Sequence, residues 1–264
     1  MIKLLHDPAE GVLRIAGLLS GSGTNIRKIL EHQKELEAIE GTAPYRIVVL
    51  FSDTGTSNAA AIGKEFDIPV VIRDIAGFYA CRGRKRSDLS LRPEFDEQTA
   101  KALAPFEATV AVYGGYMSIA SKPIIKAFLG INVHPADLAV EEGGRRKYTG
   151  DHAVRDALAA GEKTIAASTH IVELEVDQGP LLMISPPLAV VIKPEWNLSD
   201  PNDLNAAAAY NQERLKEQGD WVIFPRTIEY LSRGRFGRDE SGLLYCDGKP
   251  IPKGLRLKSD ELRA

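Results

Sequence analysis

Asn132, His134 and Asp177 carry the side chains suited to moving an acyl carbon onto an amine. Such a transfer passes through a tetrahedral intermediate bearing an oxyanion and a surplus proton. An asparagine amide donates to an oxyanion without titrating, and an imidazole stabilises it as a cation or shuttles the proton. A nearby carboxylate raises the pKa of that imidazole, and it can also take the amine's proton directly or through water. Asn132 and His134 lie two apart in Gly130-Ile131-Asn132-Val133-His134-Pro135. An extended strand therefore points both to one side, and Pro135 ends it. Asp177 follows Ser168-Thr169-His170 and precedes Gly179-Pro180. Taken singly, each has a plainer reading: a strand-end histidine is often structural, and an aspartate before a Gly-Pro turn often makes a local bond to its own backbone. Together they form a chemical set. No serine or cysteine stands in a recognisable nucleophile elbow, which favours direct transfer over a covalent enzyme intermediate.

A second constellation is Ser20-Gly21-Ser22-Gly23-Thr24-Asn25, between an apolar run and a helical pattern. Glycines there let the backbone turn tightly and aim its N–H groups at an anion, and the helix N-terminus adds free donors and a favourable dipole. Ser22, Thr24 and Asn25 supply side-chain hydrogen bonds and are expected to cap the helix. The plain alternative is a flexible, well-capped turn. A dinucleotide fingerprint needs glycine three residues after Gly23, where Ile26 stands, and no Gly-Lys-Ser/Thr follows for a Walker loop. What remains suits a phosphate monoester.

The elements that must position these residues alternate along the chain. Strands are expected at Val12–Leu19, Arg46–Ser52, Pro69–Ile72, Ala108–Tyr113 and Gly130–His134. Helices are expected from Ile26 to near Gly41 and over Ser57–Phe66, Glu94–Leu103 and Gly150–Ala160, with Asn202–Leu231 largely helical. Ile165–Val176 and Leu181–Val190 read as adjacent strands of a mixed sheet, and the tail has short strand-like pieces around Arg235 and at Leu243–Cys246, separated by Asp239–Gly242. This alternation predicts an α/β fold: an open, mostly parallel, twisted sheet with helices on both faces, of Rossmann-like type. In such sheets ligands bind at the carboxyl ends of the strands, where Asn132 and His134 fall. Asp74–Arg92 and Ala136–Thr149 are unusually long loops, of the kind that are often functional lids or disordered insertions, and the sequence leaves open whether the first is ordered. The organisation expected is a single domain over 1–264, with a phosphate-binding half (12–125), a catalytic and folate-binding half (126–235) and a C-terminal tail (236–264).

Composition narrows the classes. The 264 residues are 44 % hydrophobic and 26 % charged, with net charge −3. That suits a core-forming globular chain and gives no global field for nucleic acid or an anionic membrane. Arg82-Gly83-Arg84-Lys85-Arg86 is strongly basic and reads as a solvated loop. Cys81 and Cys246 lie far apart in loop-like contexts, against a disulfide framework or a cysteine metal site. The amino-terminal residues lack the apolar core of a signal peptide, and no run reaches the length of a membrane span. The expectations are a cytoplasmic protein, monomer or homodimer, acting on small molecules, with no bound metal.

These motifs resemble the folate-dependent formyltransferase family from about Val12 to Leu255, with the two long loops as insertions. Asn132-Val133-His134-Pro135 is shared across the wider family. The GSGTN loop marks the branch whose acceptor is glycinamide ribonucleotide. The resemblance implies direct formyl transfer from 10-formyltetrahydrofolate to that acceptor's amine. It makes Asn132, His134 and Asp177 the catalytic trio, with Ser168 and His170 holding Asp177 and an ordered water. It assigns the substrate phosphate to Gly21, Ser22, Gly23, Thr24 and Asn25, and a ribose contact to Asp220. It places the folate against Met117, Ser118 and Ile119, with Glu173, Val176 and the rest of the loop to Asp177 closing over the pterin. Two departures stand out. Ser118 replaces the family's usual arginine after the methionine, and Val140–Arg146 is inserted before Lys147-Tyr148-Thr149-Gly150. Other readings open to the sequence are a different amine acceptor such as a nucleotide amino sugar, a catalytically silent folate or nucleotide binder, and a generic dehydrogenase.

Overall fold

Eight strands form the central sheet of the computed structural model, which describes residues 1–258. The last six residues of the expected tail, 259–264, lie outside the described residues. The strands are β1 (Leu13–Leu19), β2 (Tyr45–Ser52), β3 (Val70–Ile72), β4 (Val110–Tyr113), β5 (Leu129–His134), β6 (Ser168–Ile171), β7 (Leu181–Ile184) and β8 (Leu255–Arg256). Their spatial order is β8-β7-β6-β5-β4-β1-β2-β3. Strands β1 to β5 pair in parallel, β6 runs antiparallel to both neighbours, and β8 is parallel to β7. The sheet is thus mostly parallel and doubly wound, as expected.

Helices cover both faces because the strands alternate apolar side chains to each. Leu13, Ile15 and Leu19 of β1 pack with α1 (Thr24–Glu40), α2 (Ala59–Phe66), α6 (Ala153–Ala159), α7 (Pro201–Leu215) and α8 (Trp221–Ser232). Ala16 and Leu18 face α3 (Ile75–Ala80), α4 (Arg92–Leu103) and α5 (Lys122–Ala127). Burial on both faces explains the nearly continuous apolar runs of the parallel strands. The order places β1 between β2 and β4, which makes a switch point with a crevice at the carboxyl ends of β1 and β4.

Several expected elements are interrupted. Ile165–Val176 is not one strand: Thr164–Ile165 pairs with Leu188–Ala189 in a separate ribbon, and β6 stops at Ile171. The chain then loops out and returns so closely that a Cβ on Gly179 would lie 1.8 Å from the Ile171 carbonyl oxygen. Leu181–Val190 is divided by Pro186-Pro187, which offer no N–H to a ladder. Helix α6 begins only at Ala153. The helical stretch 201–232 is broken by a π-helical turn, Lys216–Asp220, a feature frequent at functional sites.

Neither long loop is structureless. Asp74–Arg92 holds α3, capped by the Asp74 carboxylate on the Ala76 and Gly77 amides. A short turn of 3₁₀ helix, Leu89–Leu91, follows, capped by Asp88. Ala136–Thr149 folds into a hairpin of Glu141–Glu142 against Arg145–Arg146. The basic run is exposed, as expected, and three of its side chains are paired, Arg82 with Glu94, Arg84 with Asp88 and Arg86 with Ser118. Cys81 is exposed at the end of α3, and Cys246 is buried in a strand, Leu244–Cys246, not in a loop. That strand belongs to a small sheet with Lys3–Leu4, Phe236–Arg238 and Lys249–Pro250. Among the described residues, no helix is long and apolar enough to cross a membrane.

Candidate active site

The antiparallel pairing of β5 and β6 assembles the centre of the site. His170 lies directly opposite Asn132, and Ser168 opposite His134. All four side chains therefore project from one side of the sheet. The Asn132 amide lies 3.2 Å from His170 Nε2, while His170 Nδ1 donates to the Ile171 carbonyl at 2.9 Å. Those two bonds fix the ring's orientation and leave Nε2 as acceptor for the amide. Asp177 comes from the loop beyond β6 and points back between the two histidines. Its Oδ1 is 3.5 Å from His170 Nε2, and its Oδ2 is 3.5 Å from His134 Nδ1. Oδ2 also accepts the Gly150 amide at 2.8 Å.

Ser168 does different work from that expected. Its hydroxyl donates to the Ala136 carbonyl at 2.7 Å and accepts the Leu138 amide at 3.1 Å, so it anchors the chain leaving β5 and does not touch Asp177.

The charge states follow from burial and partners. Burial disfavours the charged form of His134 more than Asp177 favours it, so the ring's pKa falls below its ordinary value. Its Nε2 donates to the Tyr148 carbonyl at 3.1 Å, which leaves Nδ1 as a lone pair facing Asp177. Burial pushes the Asp177 carboxyl up, but His170, the charge of His134 and the Gly150 amide outweigh it and bring the pKa down to about 2. At neutral pH the resting pair is an ionised carboxylate beside a neutral imidazole. The expectation that the carboxylate would raise the imidazole's pKa is thus met only in sign of contribution, because desolvation is larger. The 3.5 Å gap exceeds a hydrogen bond.

The GSGTN turn lies at the mouth of β1. Gly23 adopts φ +66°, and a Cβ there would meet Ile62 and Leu19 side-chain carbons at 2.6 Å, so only glycine fits. Helix α1 has Gly23 at its N-cap with no side-chain cap, contrary to the expected capping by Ser22, Thr24 or Asn25. The first amides of a 17-residue helix are thereby left for another acceptor. The Asn58 amide holds the turn from outside through the Ser22 carbonyl at 3.2 Å.

Asp220 reaches the same place from the π-helical turn. The Asn25 side chain hydrogen-bonds its carboxyl, yet Oδ1 is buried without a partner. Burial raises its pKa to about 7 against the opposing effects of Asn25 and Lys216.

One cleft of about 750 Å³ joins these groups. It is lined at one end by Gly21–Asn25 and Asp220 and at the other by Asn132, His134, His170 and Asp177. Met117, Ile119, Leu174 and Val176 form exposed apolar lips, and Glu173 is beside them. Ser118 also lines the cleft, but its hydroxyl is engaged by Arg86 and donates to buried Asp53. Gln212, Lys216 and Gly150 also line the cleft, and the Tyr148 carbonyl meets His134, although residue patterns along the chain single out none of them as ligands. Gly150 was visible only as part of Lys-Tyr-Thr-Gly. Gln212 and Lys216 gave no signal, since ordinary helix residues come close to β1 only through the fold. Among the described residues, no group of three His, Cys, Asp or Glu side chains is arranged to hold a metal ion.

Fold and site together define a doubly wound α/β protein with a deep ligand crevice at its topological switch point. A family profile described as "Formyl transferase" matches residues 13–199, most of the chain, and the chain belongs to that family. It is similar to phosphoribosylglycinamide formyltransferase of Haemophilus influenzae, 26 % identical over 242 residues that cover 91 % of this chain and 96 % of that protein. The enzyme of the same name from Mycobacterium tuberculosis strain H37Rv is 30 % identical over 188 residues, 70 % of this chain and 76 % of that one. Among solved structures, the phosphoribosylglycinamide formyltransferase of Coxiella burnetii superposes with a TM-score of 0.66 at 24 % identity, covering 94 % and 100 % of the two chains, and so shares the fold. Family membership removes the dehydrogenase reading.

Proposed function

We propose that the chain transfers a formyl group from 10-formyltetrahydrofolate to the amine of glycinamide ribonucleotide. One observation carries this reading: a single cleft holds an uncapped helix N-terminus at one end and the Asn132–His134–Asp177 set at the other. The amides of Gly23, Thr24 and Asn25, with Gly21 and Ser22 shaping the turn, take the phosphate monoester. The unpartnered Asp220 Oδ1 accepts a ribose hydroxyl. The apolar lips of Met117, Ile119 and Val176 hold a flat pterin, with Glu173 at their rim.

The neutral amine attacks the formyl carbon, and the second Asn132 N–H is free to donate to the oxyanion. The proton lost by the amine enters the gap between His134 Nδ1 and Asp177 Oδ2. The ring becomes an imidazolium paired with the carboxylate, and it then returns the proton to the departing folate nitrogen. His170 keeps Asn132 and Asp177 in register. On this reading the chain acts as one domain, although its halves share duties: Met117 serves the folate from the first half, and Asp220 serves the ribonucleotide from the second.

The test is a spectrophotometric assay with 10-formyl-5,8-dideazafolate and glycinamide ribonucleotide. Turnover should require both substrates, and Asp177→Asn should lower kcat by roughly 10²- to 10⁴-fold. A folded wild type that formylates only an amino sugar, or nothing, would sink the proposal.

A further inference from the structure

The hairpin at 141–146 ends in Arg146, which is half-buried against the loop that carries Asp177. Its guanidinium forks: Nη1 donates to the Asp177 carbonyl, and Nη2 donates to the Gly179 carbonyl at 2.8 Å. These two carbonyls bracket the turn Asp177-Gln178-Gly179. Asp177 holds a left-handed backbone, φ +56°, a conformation that aspartate tolerates better than most residues but that still favours glycine. Gly179 is pinned at one side by the Ile171 carbonyl, and the Arg146 fork restrains the other.

The hairpin is itself anchored. The Lys147 amide closes it on the Val140 carbonyl at 3.0 Å, and Lys147 pairs with Glu142 at 3.2 Å. From the far side, Arg256 beside β7 pairs with Asp137 at 2.8 Å, and Lys253 lies 3.8 Å from Glu141. A chain of contacts thus runs from the C-terminal segment through the insertion to the backbone of Asp177.

We propose that Arg146 is a positioning residue whose two-pronged grip on the Asp177 and Gly179 carbonyls sets the Asp177 carboxylate between His134 and His170. The proposal rests on the reading of Asp177 given above. It gives the inserted loop a mechanical duty in the chemistry, beyond shaping the acceptor's surroundings. An ammonium is a point charge and cannot replace a planar fork on two carbonyls, so Lys at this position keeps the charge and loses the grip.

Charge and grip can be told apart at His134, which faces Asp177, His170 and Arg146. The Arg146 charge lowers the ring's pKa and the Asp177 charge raises it. Deleting only a cation therefore raises the His134 midpoint, whereas letting the carboxylate drift away lowers it. The experiment combines kcat and KM for both substrates with an NMR titration of the His134 ring, in wild type, Arg146→Lys and Arg146→Ala. Both variants should lose roughly 10- to 100-fold in kcat with KM within about 2-fold, since small misplacements of a catalytic group cost this much. The His134 midpoint should fall in Arg146→Lys. Wild-type kcat and an unmoved midpoint in Arg146→Lys overturn the proposal, as does a raised midpoint in Arg146→Ala with a normal Lys variant. If the wild type proves to use another acceptor, the ring titration still decides whether Arg146 places Asp177.

Discussion

At the scale of single residues, the site holds two carboxyl groups pushed in opposite directions. Asp177 holds its proton weakly, with a pKa lowered to about 2, while Asp220 is desolvated and nearly unsupported. The native Asp220 binds its proton more tightly than an unfolded chain would, with a pKa near 7 against 3.8. Stability therefore carries no penalty from it below about pH 3.8, loses ground as pH rises, and bears the full cost above about pH 7. That cost is on the order of a few kcal/mol. Asp220→Asn should consequently melt higher than wild type near pH 8 and level with it near pH 4. A melting difference that does not change with pH would refute this account. The same variant should bind glycinamide ribonucleotide less tightly, since an amide keeps one acceptor but cannot ionise.

At the scale of elements, the reversal of β6 matters most. A parallel neighbour would not have set His170 opposite Asn132 and Ser168 opposite His134. The loop that leaves β6 must also return within hydrogen-bond reach, and the Ile171 amide donates to the Pro180 carbonyl at 2.9 Å. Gly179 is where that return is tightest. Gly179→Ala drives a methyl against a backbone oxygen that no rotamer change can move, so the Asp177 turn must shift. We expect a stability loss of about 1–3 kcal/mol and a kcat loss of roughly 100-fold. Gly55→Ala, where a Cβ meets nothing within 4 Å, serves as the control. Equal behaviour of the two variants in melting and turnover would rule this mechanism out.

At the scale of the whole molecule, the C-terminal segment closes the structure on itself. Strand β8 adds to the far edge of the sheet beside β7, and Leu257 is buried in the main core just beyond it. Arg238 approaches Glu173 of the loop beyond β6 at 4.0 Å. Residues well over 200 positions from the glycine-rich turn thus brace the opposite end of the cleft. Leu257→Ala should cost about 2–4 kcal/mol in urea unfolding. It should also reduce turnover, because the support of Asp137 and the hairpin goes with β8. Unchanged unfolding would show that this edge is ornamental.

The sequence by itself determined the alternation of strands and helices, because apolar periodicity reports burial locally. It also determined the glycine-rich turn and the Asn-x-His pair, because two residues on one strand necessarily share a side. The order within the long loops is not legible in the sequence because α3 and the 141–146 hairpin are short, and they are held by Asp74, Asp88 and long-range pairing more than by periodicity. What only the tertiary structure decided were contacts made across sequence distance. The resting charge of His134 is set by desolvation, a property of everything packed around it. The fork of Arg146 on Asp177 and Gly179 joins residues about 30 positions apart. The meeting of Asp220 with Asn25 joins residues separated by about three quarters of the chain. Local pattern records which way a side chain faces; only folding fixes what it faces.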